Sequence, residues 1–169
     1  MHPRAEKVVA VAAREGIALT VTEFPAGTRT AEEAAAAIGC VVGQIVKSLL
    51  FVVAGAPVMT LVSGASRLDE EKLARLRGVG RKRVRRADAT RVRETTGYAI
   101  GGVPPFAHAR PIPVLADRDL MGHDVVWAAA GTPNTVFSIA PAELVRLAGA
   151  EVADIAVSGR AVPGRAAAG

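Results

Sequence analysis

Gln44-Ile45-Val46-Lys47-Ser48-Leu49-Leu50-Phe51, continued by Val52 and Val53, is the stretch on which the fold turns. It is apolar, rich in branched and aromatic side chains, and too short for a buried helix. Gly55-Ala56-Pro57 follows it, and then a second apolar run, residues 58–62. The pattern predicts a hairpin: a strand over 44–53, a turn at 55–57 and a return strand over 58–62. Lys47 stands in the middle of the first strand. Ile45, Lys47 and Leu49 share one face, and Val46, Ser48 and Leu50 the other. An unpaired ammonium is costly to bury. Lys47 therefore faces a cleft or an anion, or it guards a sheet edge against aggregation.

Working outward, residues 2–15 read as a helix with Val8, Val11 and Ala12 on one face, stopped by Gly16. Residues 18–24 alternate as a strand, ended by Pro25-Ala26-Gly27. Thr30, with Glu33 three residues on, predicts a capped helix running to Gly39. Beyond the hairpin, Leu68-Asp69 opens a short helix with Leu73 and Leu76 inward. Residues 82–86 read as an edge strand, and Asp88 caps a helix reaching Thr95. A strand is expected to start at Tyr98 and break at Gly102. Further strands are expected at 113–116, 125–130 and 135–139. Pro141 opens a last helix, where its missing N–H does no harm. Strands and short helices interleave without a regular alternating unit. This favours an α+β fold with a mixed sheet over a doubly wound one.

A second unusual segment lies about fifty residues after the first: Gly101-Gly102-Val103-Pro104-Pro105-Phe106-Ala107-His108. Its glycines permit close backbone approach. Its prolines stiffen the chain and remove N–H groups, so the remaining donors are fixed in space. Rigid backbone donors aimed at a developing oxyanion accelerate ester cleavage, although an ordinary Gly-Pro turn has the same composition. Together with Lys47 the loop suggests a pocket with a cation on one wall and backbone donors on the other, suited to a small negatively charged substrate. His108 reads as a base, a substrate contact or a structural histidine. Gly131-Thr132-Pro133-Asn134 is either a plain hairpin turn or a source of polar contacts to the same pocket.

Other chemistries lack their motifs. There is no Gly-x-Ser-x-Gly elbow and no phosphate loop. His2, His108 and His123 lack metal-site spacing. Cys40 is the only cysteine, which excludes an intramolecular disulfide and a cysteine metal cluster, and it reads as a packed thiol. No metal or organic cofactor is expected. The 169 residues suit one domain over 1–157, with residues 158–169 expected to be a disordered tail. No apolar run approaches the roughly 18–20 residues needed to cross a bilayer, and no signal peptide is visible, so a soluble cytoplasmic protein is expected. The net charge of +5 is compatible with a nucleic-acid partner. The run Arg81-Lys82-Arg83 with Arg85 and Arg86 is either a phosphate contact or a solvated face.

Four segments in order, namely residues 44–51, Leu61-Val62-Ser63-Gly64, residues 101–106 and Ala130-Gly131-Thr132-Pro133-Asn134, resemble the YbaK/ProX family. These proteins are free-standing relatives of the editing domain inserted in bacterial prolyl-tRNA synthetases. The resemblance runs from about residue 5 to 156. It implies a mixed, strongly curved, barrel-like sheet surrounded by short helices. It also implies a trans-editing aminoacyl-tRNA deacylase, which removes a small wrong amino acid (Ala, Cys, Ser or Thr) from the 3′ end of a tRNA, with prolyl-tRNA synthetase as a further partner. Lys47 matches the family's lysine, and Ser48 the small hydroxyl position after it. Gly101 and Pro105 match a Gly-x-x-x-Pro loop. The resemblance thus implies catalytic roles for Lys47 and Gly101. It implies substrate contacts from Val46, Ser48, Ile100, Gly102, Val103, Pro105, His108, Gly131, Thr132 and Asn134. Ala107 departs from the pattern, because many relatives carry glycine after Pro-Phe. An inactive tRNA- or synthetase-binding module and a small-molecule ester hydrolase are the alternatives.

Overall fold

The structure, a computed structural model, describes residues 1–24, 28 and 30–158. Along the chain these form α1 (Pro3–Arg14), β1 (Val21–Glu23), α2 (Ala31–Ile38), β2 (Val46–Val53), β3 (Ala56–Ser63), α3 (Glu70–Leu76), β4 (Val84–Arg86), α4 (Ala89–Thr96), β5 (Val114–Asp117), β6 (Val126–Ala129), β7 (Thr135–Ile139), α5 (Pro141–Ala148) and β8 (Glu151–Ala153). The expected α+β class and mixed strand pairing are present. The Pro25-Ala26-Gly27 stop and the tail beyond Ser158 lie outside the described residues.

The strands form two sheets, in the orders β1-β7-β6 and β4-β2-β3-β5-β8. Both orders are linear, so neither sheet closes on itself. The expectation of one barrel-like sheet is corrected to two open sheets. Among the described residues, the link that would join them is a single bridge, Ile45 with Trp127. Past it β2 turns to β4 and β6 stays with β7, so no continuous ladder forms.

The hairpin is the backbone of the larger sheet, with Lys47 opposite Val62. Its turn is tighter than expected. Ala54 (φ 51°) and Gly55 (φ 84°) make it alone. Two left-handed residues match the twist of the flanking strands, which frees Ala56 and Pro57 to join β3. Pro57 pairs with Val52, beyond the reach of β5, which begins at Met59 opposite Val114. Its missing N–H therefore costs no ladder bond.

Successive residues of the larger sheet feed two cores. Val46, Leu50, Val52, Met59, Leu61, Val114 and Ala116 face a core completed by α1, α5 and the smaller sheet. Phe51, Val53, Val58, Val62 and Leu115 face a second core with Leu73, Ala74 and Ile155. The caps read from sequence hold. Thr30 Oγ1 accepts from Glu33 N at 3.1 Å, and Asp88 Oδ1 from Arg91 N at 2.8 Å.

Three expectations fail locally, and one strand goes unanticipated. Leu76, at the end of α3, is 50 % exposed instead of buried. Residues 81–83 are a 3-10 turn, so the edge strand starts only at Val84. Tyr98–Gly102 is a turn and not a strand, because Thr96 Oγ1 takes the N–H of Tyr98 and Ala99 O takes that of Gly102. Finally, β8 carries no sequence pattern of its own; it forms by lying parallel to β5.

Candidate active site

The register of β2 explains where the site lies. Gly64 N bonds to Ile45 O (2.7 Å), and Ala87 N bonds to Leu50 O (3.0 Å). Backbone groups of the odd-numbered residues therefore face β3, and those of Val46, Ser48 and Leu50 face the opposite edge. β4 covers that edge only along Phe51–Val53, and β6 meets it only at the Ile45–Trp127 bridge. Between these two points the sheets diverge. A cavity of about 570 Å³ fills the gap, with β2 on one wall and β6 on the other.

Lys47 lines this cavity, half-buried, and its Nζ donates to Ser66 O. Ser48 lines it too. Its Oγ is the one buried side-chain polar atom without a hydrogen-bond partner among the described residues. Of the second segment, Ile100, Gly101 and Val103 reach the cavity, and Val46 joins them from β2. Gly101 has φ 92°, and a Cβ on Gly102 would sit 2.8 Å from Thr132 Cα. The paired glycines thus let the loop bend and press against the 131–134 turn. Among the described residues no acceptor takes the N–H of Gly101 or Val103. The N–H of Gly102 is bonded to Ala99 O (3.0 Å) and is not available to a ligand.

Six residues expected at the site lie outside its lining: Gly102, Pro105, His108, Gly131, Thr132 and Asn134. Pro105 is buried within the loop. His108 Nε2 is 2.7 Å from Pro104 O, so it carries the proton and donates to that carbonyl. Burial lowers the His108 pKa, only partly offset by the Pro104 hydrogen bond, and nearby Lys7 lowers it further. The ring is a neutral brace for the loop. Tyr98 donates its hydroxyl to Ala107 O (2.9 Å) from the same side. Ala107 has φ 66°, a left-handed conformation that strains a residue with a Cβ. Gly131 abuts Arg4, and Thr132 Oγ1 pairs with Thr135 Oγ1 at 2.8 Å. Of this turn, Pro133 is the residue that reaches the cavity.

Sequence reasoning missed Arg86, Trp127 and Thr30, which also line the cavity. They come from β4, β6 and the cap of α2, and no motif joins them. Arg86 had a weak signal as the last residue of the basic run. Among the described residues, the lining contains no Cys, His, Asp or Glu, and no group of such residues is placed to hold a metal ion. Cys40 stands apart from the cavity, and burial raises its thiol pKa. Among the described residues, no helix is long and apolar enough to cross a membrane.

This chain is similar to known proteins. Residues 25–147 match the family described as an aminoacyl-tRNA editing domain. YwhH of Bacillus subtilis, itself uncharacterised, is 35% identical over 73% of this chain and 78% of its own. EbsC of Enterococcus faecalis, provisionally named a Cys-tRNA(Pro)/Cys-tRNA(Cys) deacylase, is 28% identical over 75% of this chain and 76% of its own. A crystal structure, provisionally assigned as a trans-editing enzyme for prolyl tRNA synthetase, superposes with a TM-score of 0.87 at 48% identity. It covers 94% of this chain and 99% of that one. The family match spans both walls of the cavity, and the chain belongs to the aminoacyl-tRNA editing domain family.

Proposed function

We propose that this protein is a trans-editing deacylase that hydrolyses the ester joining a small wrong amino acid (Ala, Cys, Ser or Thr) to the 3′ end of a tRNA. The observation that carries the reading is the composition of the cavity. A lysine lines it beside Gly101 and Val103, whose backbone N–H groups have no acceptor among the described residues, and the described lining holds no carboxylate, imidazole or thiol. Such a site has no imidazole or carboxylate, among the described residues, to activate its Ser and Thr hydroxyls as nucleophiles. It can position an ester that is already activated and stabilise charge as water attacks.

In this reading Lys47 holds the terminal phosphate or ribose. The N–H of Gly101, with that of Val103, orients the ester carbonyl. Water attacks the carbonyl carbon, and the tetrahedral intermediate collapses with cleavage of the C–O bond to the ribose. The ribose oxygen leaves with a proton, and the terminal ribose hydroxyl of the tRNA helps to activate the water. Val46, Ile100 and Val103 limit the side chain that fits, and Ser48 contacts the substrate beside them. Steric sorting of this kind is worth only about 1–3 kcal/mol per methylene. The name of EbsC supports a tRNA substrate. The description of the similar crystal structure supports work alongside prolyl-tRNA synthetase, and hence a place in the cytoplasm.

The test is deacylation of tRNAs carrying Ala, Cys, Ser, Thr and Pro by the wild type and Lys47→Ala in parallel. Lysine-dependent turnover of one or two members establishes the reading. No turnover above the spontaneous rate replaces it with a binding module.

A further inference from the structure

The charge of this chain is concentrated in one place. Residues 81–93 carry seven Lys and Arg and one acid, Asp88, so the segment stands at +6 while the whole chain stands at +5. All other residues together sum to −1. Asp88 is occupied as the cap of α4. Two of the cations are also committed: Arg81 pairs with Glu70 at 2.9 Å, and Arg91 donates to Gly55 O at 3.0 Å. Lys82, Arg83, Arg85 and Arg93 are exposed and, among the described residues, have no ion pair.

The tertiary structure sets this charge beside the cavity. β4 is the outermost strand of the larger sheet, paired on one side only. Arg85 and Arg86 point to opposite faces of it, so the cations straddle an open edge. Arg86 lies over the ring of Phe51, 5.9 Å from its centre, and also lines the cavity. Arg86 therefore belongs both to the basic edge and to the cavity lining.

We infer that the outer edge of β4 docks the sugar–phosphate backbone of the tRNA acceptor arm, with Arg86 joining that surface to the cavity where the 3′ end is held. The inference rests on the function proposed above. Cations arranged this way bind phosphates without reading bases. The edge thus supplies affinity for tRNA in general, and the cavity supplies the choice of amino acid. A duplex backbone running along the edge meets Lys82, Arg83 and Arg85 in turn, and each phosphate contact releases condensed counterions.

The test compares intact aminoacyl-tRNA with the same amino acid esterified to adenosine, which has no acceptor stem. The enzymes are the wild type and a Lys82→Glu/Arg83→Glu/Arg85→Glu variant of matched melting temperature. For intact tRNA, kcat/KM is expected to fall on the order of 10²-fold in the variant, and its log–log salt slope to shrink by about 2–3. Hydrolysis of the adenosine ester is expected to be unchanged. Equal rates on tRNA for the two proteins, or equal losses on both substrates, overturn the docking surface. In the first case the cations merely guard a sheet edge. Binding of uncharged tRNA, followed by fluorescence anisotropy over a salt series, separates this inference from the function it rests on. If the wild type hydrolyses neither ester but binds tRNA and the variant does not, the docking surface stands and the deacylase reading falls. If both proteins bind tRNA alike, the docking surface falls.

Discussion

Two half-buried lysines show what the same residue does in two different settings. Lys72, on α3, gives its ammonium to Asp154 Oδ1 (3.0 Å), Ala156 O (2.7 Å) and Ser158 Oγ (2.7 Å). Three acceptors meet three donors, and the result is a knot that ties the end of the described chain to α3. Nearby, Asp117 accepts from the N–H of Ile155 at 3.0 Å, and its burial raises the carboxyl pKa. Lys47, on β2, donates to Ser66 O and stands at the wall of a cavity whose described lining has no carboxylate. A cation that meets acid inside the protein is a staple. In the function proposed above, Lys47 instead meets an anion that enters the cavity from outside. The difference lies in the surroundings, not in the residue type.

The sharpest way to break this comparison is to remove each ammonium in turn. Lys47→Ala is expected to lower kcat/KM for the edited aminoacyl-tRNA by roughly 10²–10³-fold with little change in melting temperature. Lys72→Met should do the reverse. Its ion pair is discounted because Asp154 is 40% exposed, so the stability loss is about 1–2 kcal/mol and activity persists. Chemical denaturation and single-turnover deacylation on the two variants decide it. If Lys47→Ala unfolds the protein, or if Lys72→Met abolishes turnover, the contrast between site and staple is wrong.

The loop opposite Lys47 gives the next largest effect. In Gly102→Ala a Cβ would fall 2.8 Å from Thr132 Cα. The backbone must move, at a cost of about 1–3 kcal/mol, and Gly101 moves with it. Turnover and melting temperature are therefore expected to fall together, unlike either lysine variant. Ala107→Gly runs the other way. It removes the strain of a Cβ at φ 66° and is expected to stabilise the protein by up to about 1 kcal/mol, seen as a raised urea midpoint. That strain is also a physical reason to favour glycine at this position.

The smallest expected effect is in pH. The pKa of His108 is lowered on folding from its ordinary 6.5. The folded protein then binds fewer protons than the unfolded one just below that value. The stability contributed by the neutral ring is present above about pH 6.5 and is lost as pH falls through that value toward the folded pKa. Melting curves between pH 7.5 and 5 should show this decline for the wild type and a flatter one for His108→Gln. Identical slopes would mean that His108 does not brace the loop as a neutral donor to Pro104.

Much of the fold was legible because its signals are local. The apolar run around Lys47, the caps at Thr30 and Asp88, and Pro141 at a helix start each depend on residues within one or two turns of chain. Lys47, Ser48 and Gly101 could be singled out for the same reason: each breaks a local pattern. What the sequence by itself determined was thus the hairpin, most of the helices, and a lysine placed where burial alone would be costly. The tertiary structure alone decided that β2 and β6 touch once and then part, because sheet pairing depends on residues far apart in the chain. That divergence makes the cavity. It admits Trp127, Arg86 and Thr30 from three separate elements and leaves His108 and the 131–134 turn mainly outside its lining. Local sequence specifies which residues are unusual, but only packing between distant strands fixes which of them face the same empty space.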